Sequence, residues 1–141
     1  MIKPNSMKIA SKILMIVLLI WTMVMLIWGL SGFFEYFSGI KPFINLQNSA
    51  YPKAVQFVHW FLITLTGGTF VFGYFLKWKW TPYFMVMLFS NLAVLCTIQT
   101  FDFMSEQWSF TAYFTEIVLY ILLSAFLLFS SLSKSRFKHK L

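Results

Sequence analysis

The sequence predicts an all-α fold, an integral membrane four-helix bundle with both termini cytoplasmic, and three observations lead there. Of its 141 residues, 60% are hydrophobic and 21% aromatic. The mean hydropathy of +0.77 is far higher than a soluble domain of this length needs. The apolar residues fall into four runs, each near the roughly 20 residues that cross a bilayer as a helix. The charges segregate to opposite ends of those runs. Residues 1–141 therefore form a single four-span membrane domain, with little chain left for a soluble one.

The first span, 9–34, follows Lys3, Lys8 and Lys12. It is too long for a secretory signal and lacks a small-x-small cleavage pattern, so it is expected to stay as an uncleaved helix. The longest loop, Glu35 to Lys53, leads to the second span, 54–76, entered through Tyr51-Pro52-Lys53. The third, 82–101, follows Lys77-Trp78-Lys79-Trp80. There Thr81 is a candidate cap, and Pro82 suits a first turn because no donor is needed. A polar segment, Asp102 to Ser109, precedes the fourth span, 110–132, and the tail from Ser133 is basic.

Orientation follows from the cations. Lys3, Lys8, Lys12, Lys77, Lys79, Lys134, Arg136, Lys138 and Lys140, out of 11 Lys and Arg, share one side, which the positive-inside rule makes the cytoplasm of a cell with an inner membrane. Only Lys41 and Lys53 lie outside. An even number of spans demands the same parity. Trp78, Trp80, Tyr83, Tyr51 and Trp108 sit near span ends, where amphipathic rings anchor in the headgroup layer. The net charge of +7 is arranged in short clusters beside apolar spans, which makes anionic headgroups the partner and excludes nucleic acid. Cys96 is the single cysteine, so an intramolecular disulfide, a CxxC pair and a thiolate metal cage are all ruled out.

All four acids, Glu35, Asp102, Glu106 and Glu116, fall on the outer side. Ionisable groups in hydrocarbon are costly unless paired or wet, so those near a span are candidate site residues. His59 and Glu116 are both expected about 8 to 10 Å below the outer ends of their helices, at a rise of about 1.5 Å per residue. Gln56 and His59 share one helical face, as do Gln99 and Asp102, being three residues apart. Glu35, Gln56, His59, Gln99, Asp102 and Glu116 thus form a candidate polar pocket in the outer half of the bundle. His59 would act there as a proton carrier and Glu116 as its partner. The same residues would equally serve as a hydrogen-bonded cluster that locks helix packing, or as a face for a partner subunit.

No metal site is expected, because one His and no cysteine motif accompany the carboxylates. Bis-His haem would need a second membrane histidine, and His139 lies in the basic tail. Gly29, Gly32, Gly67, Gly68 and Gly73 are candidate helix-packing positions, since Gly lets membrane helices approach closely. Asn91, Thr97 and Gln99 are candidates for hydrogen bonds across helices. Phosphate loops, serine-nucleophile motifs and internal repeats are absent, the last of these arguing against a transporter.

The stretch from Leu65 to Pro82, with Gly67 or Gly68, Gly73, Lys77 and Thr81-Pro82, resembles the centre of DoxX-like membrane proteins. There an apolar second helix carries two glycines before a short basic turn. Trp28-Gly29-Leu30-Ser31-Gly32-Phe33-Phe34 resembles that family's opening helix. Phe33-Phe34-Glu35 departs from it where a basic residue is common. The resemblance implies a compact four-helix bundle, in a family that includes small subunits associated with membrane oxidoreductases.

The expected function is that of a non-catalytic accessory subunit of a larger inner-membrane complex, not an enzyme on its own, docking through aromatic and glycine-rich faces. Its partners would be the lipid bilayer and either another protein or further copies of itself. The alternative is a binder of a quinone or other lipid-soluble ligand around His59 and Glu116.

Overall fold

In the computed structural model, which describes residues 4–104 and 107–138, the chain is helical almost throughout. The elements are α1 (Pro4–Ser38), α2 (Lys53–Leu76), α3 (Thr81–Ile98), a π-helical turn (Gln99–Phe103), α4 (Gln107–Phe129) and α5 (Ser131–Arg136). Lys3, Glu106, His139 and Lys140 lie outside the described residues, as does the Trp108 side chain. Lys8–Ser38, Lys53–Leu76, Thr81–Phe103 and Phe110–Phe129 are each long and apolar enough to cross a membrane. Helices are what such segments must form, because hydrocarbon offers backbone N–H and C=O groups no partners.

The helices stop where local chemistry stops them. α1 runs past its expected end at Phe34 to Ser38, and Gly39, at φ 69°, turns the chain. The Gly39 N–H returns to Glu35 O at 2.8 Å, as expected of a left-handed glycine after a helix. Lys77 ends α2 in the same left-handed region, at φ 55°, and the Trp78 N–H closes on Gly73 O at 3.0 Å. Thr81 does not cap α3: Trp80 holds the cap position, and Thr81 is buried against Gly73, which has no Cβ to obstruct it. Pro82 does sit in the first turn.

The fourth span also ends early, at Phe129 rather than Leu132. Ser130 adopts extended backbone and its side chain accepts the Ser133 N–H, at 3.0 Å, which starts α5. This short helix folds across the end of the bundle. Ser133 Oγ donates to Leu127 O at 2.7 Å, and Arg136 donates to Tyr74 O at 3.1 Å while lying 4.0 Å above the Tyr74 ring centroid. Phe137 meets Phe70 edge-on at 6.0 Å. Part of the basic tail is therefore a structural plug as well as a charged extension.

α1 packs along α2, α2 along α3 and α3 along α4, whereas α1 and α4 scarcely meet. The core fills only one half of this open arrangement. Met15 and Leu18 of α1, Phe70 of α2, Met85 to Leu92 of α3, and Leu123 and Leu127 of α4 gather with Phe137 at the end that carries both chain termini. Bulky apolar side chains elsewhere, such as Phe72, Val94 and Phe114, point outward, as lipid-facing residues do.

Glycines make the α1–α2 seam. A Cβ on Gly67 would stand 2.6 Å from Leu26 N and 2.7 Å from Thr22 O, so the two backbones touch there. Gly29 and Gly32 similarly lie against Thr64 and the Trp60 ring, and Gly73 against Thr81. Gly68 is outside the seam, its nearest neighbour being the tip of Leu26 at 3.8 Å. Gly29, Gly32, Gly67 and Gly73 are thus packed within the chain, whereas Gly68 faces an open groove.

Candidate functional site

Where α1 and α4 part, toward the 39–52 loop and the π-helical turn, a crevice of about 330 Å³ opens. Trp21, Val24, Met25 and Trp28 of α1 form one wall, and Glu116 and Tyr120 of α4 the other. His59 and Ile63 of α2, with Leu92, Leu95, Cys96 and Gln99, make its floor. Trp21 and Trp28 are seven residues apart and Glu116 and Tyr120 four, so helical periodicity alone puts each pair on one face.

The polar groups are arranged as two hydrogen-bonded pairs. Gln99 Nε2 lies 3.2 Å from His59 Nδ1. With the amide nitrogen donating, Nδ1 accepts, and a neutral ring then carries its proton on Nε2. The Cys96 thiol donates to Glu116 Oε2 at 3.2 Å. His59 and Glu116 therefore share one cavity but each has a different partner, and the expected direct pairing is replaced by two separate bonds. The reason lies in α3. It runs between α2 and α4, and the π-helical turn beginning at Gln99 ends its regular winding where Gln99 reaches α2 and Cys96 reaches α4. Such local π geometry recurs at functional sites in helical proteins.

The other polar residues expected in the pocket go elsewhere. Glu35 is buried within extended α1, where its Oε2 accepts the Leu46 N–H at 2.8 Å. Gln56 donates to Asn48 O at 2.7 Å and to Tyr51 O at 2.9 Å. Together with Gln47, whose Nε2 reaches Gly32 O at 3.2 Å, they fold the loop onto the bundle. Asp102 is exposed on the π-helical turn. Asn91 bonds back to Met87 O of its own helix at 2.8 Å, and does not cross between helices. Thr97 does both: its Oγ1 donates to Ala93 O at 2.8 Å and lies 3.2 Å from Tyr113 Oη.

Tyr51 is partly buried against the π-helical turn. Its hydroxyl contacts Met104 Sδ at 2.7 Å and its ring meets Phe103 edge-on, which folds the loop end toward the crevice. Burial raises its phenol pKa above the ordinary value, and the nearby Cys96 and Glu116 add to that electrostatically. Trp80 and Tyr83 are exposed at the opposite end, with Lys79 4.7 Å over the Trp80 ring.

Cys96, Tyr120, Trp21 and Trp28 line the crevice although sequence reasoning does not single them out as site residues. A signal exists for two of them: Cys96 is three residues before Gln99, and Tyr120 four after Glu116. Among the described residues no three of His, Cys, Asp and Glu come together as a metal-ligating group. The lining supplies an imidazole, a carboxyl group, a thiol and a carboxamide within aromatic and aliphatic walls. That is a surface for hydrogen-bonding the polar head of an otherwise apolar molecule. No protein-family model, no curated protein and no solved structure matches the chain.

Proposed function

We propose that the protein binds a lipid-soluble molecule with a small hydrogen-bonding head, of the quinone class, in the crevice between α1 and α4. The observation that carries this is the convergence of His59, Gln99, Cys96 and Glu116 on a cavity whose remaining walls are largely apolar and which opens sideways from the bundle. His59 Nε2–H would donate to a quinone carbonyl, with Gln99 holding the tautomer. Glu116, at the open wall, would accept a hydrogen bond from the hydroxyl of the reduced, quinol form. The tail of the ligand would leave between α1 and α4 into the bilayer. In this reading the protein sits in the inner membrane with both termini in the cytoplasm, as its cations suggest.

Tryptophan fluorescence tests the proposal directly, because Trp21 and Trp28 line the cavity and quinones quench indole emission. Protein in nanodiscs titrated with a short-chain quinone should show saturable quenching. His59→Ala and Glu116→Ala should each weaken it about tenfold, the loss of roughly one charged or neutral hydrogen bond. Equal affinity in both variants would overturn the assignment.

A second reading, that of an accessory subunit of a membrane oxidoreductase in keeping with the DoxX-like resemblance, is favoured by one observation. α1 and α4 both present exposed apolar rows beside the crevice, Ile20, Trp21 and Ile27 on one and Leu119 and Leu122 on the other. A partner helix laid between them would close the bundle. Co-purification of a defined neighbour that is lost on Leu119→Lys/Leu122→Lys would support it, and a monomer that recovers no neighbour from native membranes would exclude it.

A further inference from the structure

At the other end of the molecule a second cavity, of about 540 Å³, lies between α1 and the α4–α5 break. Lys8, Ser11 and Lys12 line it from α1, and Ser130, Ser131 and Ser135 from the break and α5. We propose that this cavity binds the phosphate of an anionic phospholipid headgroup, in the leaflet on the side of the chain termini.

Position is the first argument. Lys8 and Lys12 precede the uninterrupted apolar run that begins at Ile13, and the fourth span ends at Phe129, so the cavity lies at the boundary between hydrocarbon and headgroups. Lys12 sits one helical turn inside Lys8, about 6 Å deeper. Two ammonium groups and several hydroxyls are thereby stacked along the direction in which a lipid phosphate enters.

Charge balance is the second argument. Glu35, Asp102 and Glu116 all lie on the opposite half of the chain's spans, and Glu106 belongs to the segment joining the third and fourth. Lys8 and Lys12 thus share one cavity, with Lys134 on the same end of the chain and no carboxylate on that end of the described bundle. Cations held together beside a low-dielectric slab repel one another unless an anion joins them, and each lysine adds to the attraction for an anionic leaflet.

The third argument separates a lipid from a free ion. The i, i+4 row that carries Lys8 and Lys12 continues along α1 as Ile16 and Ile20, which are 52% and 57% exposed. An acyl chain attached to a phosphate between the lysines would lie along that row. A free phosphate would make no use of it.

Native mass spectrometry of the full chain, released from nanodiscs of mixed phosphatidylglycerol and phosphatidylcholine, tests the site. One phosphatidylglycerol should be retained in preference to phosphatidylcholine. Lys8→Gln/Lys12→Gln should reduce that preference about thirtyfold, whereas Lys41→Gln/Lys53→Gln, at the far end, should leave it unchanged. Because removing inner cations can disturb insertion, Ser131→Glu serves as the second variant. It keeps every cation, places a negative charge in the cavity, and should abolish the preference. Unchanged retention in Ser131→Glu would overturn the proposal. So would displacement of the lipid by millimolar inorganic phosphate, which would mark the site as one for the free ion.

Discussion

Replacing Gly67 by Ala tests how tightly this bundle is closed. The added Cβ would stand 2.6 Å from Leu26 N and 2.7 Å from Thr22 O, where ordinary contact begins at 3.4 Å. Both obstacles are backbone, so no rotamer change relieves the clash and α1 must retreat by about 0.8 Å. A gap of that size forfeits about a quarter to a half of the dispersion energy of the atoms that separate. Overpacking of this kind typically destabilises by about 1 to 3 kcal/mol. Gly68→Ala, one residue on, is the internal control. Its Cβ meets only the Leu26 tip at 3.8 Å, and it removes a mid-helix glycine, so it should stabilise by up to about 1 kcal/mol. Thermal unfolding in mild detergent, followed by circular dichroism, should therefore place the Gly67 variant below the wild type and the Gly68 variant at or above it. A separation of about 2 to 16 °C is expected, for a difference of about 1 to 4 kcal/mol at about 2 to 4 °C per kcal/mol. Equal melting temperatures, or the reverse order, would refute the claim that α1 and α2 touch at Gly67.

Three other outcomes follow from the geometry. Gln99→Leu removes the donor that holds Nδ1 of His59, so nitrogen NMR of the ring should show mixed tautomers, and quinone quenching should weaken about tenfold. Ser130→Ala removes the cap of α5 at a cost of about 1 kcal/mol; limited trypsin treatment should then cut after Arg136 faster, with the transmembrane helices intact. Tyr51 has a folded-state pKa raised above 10.0, so the stability it supports is whole below pH 10 and declines as pH rises through the folded value. Over that range the Tm of the wild type should fall more steeply with pH than that of Tyr51→Phe.

Some of this is legible in the sequence because it depends on local chemistry alone. Glycine and proline near span ends, lysines flanking apolar runs and the lengths of those runs place four helices to within a few residues. The departures have local causes. α1 overruns because Gly39, and not the polarity of Glu35, supplies the stop. α4 stops short because Ser130 satisfies the Ser133 N–H and starts a new helix within an apolar stretch. Glu35 and Gln56 resemble pocket residues by depth, yet a loop that must satisfy its own backbone groups recruits them first.

The sequence by itself determined that four apolar helices exist, where they begin and end to within a few residues, and which residues share a face within each. Only the tertiary structure decided how those faces meet. In a soluble bundle an apolar stripe orients each helix, but helices that are apolar on every side carry no such stripe, and close approach at small residues sets rotation and register instead. Here Gly67 against Thr22 and Leu26 draws α1 onto α2 and leaves α4 apart. That choice opens the crevice, and with it the meeting of His59 with Gln99 and of Glu116 with Cys96.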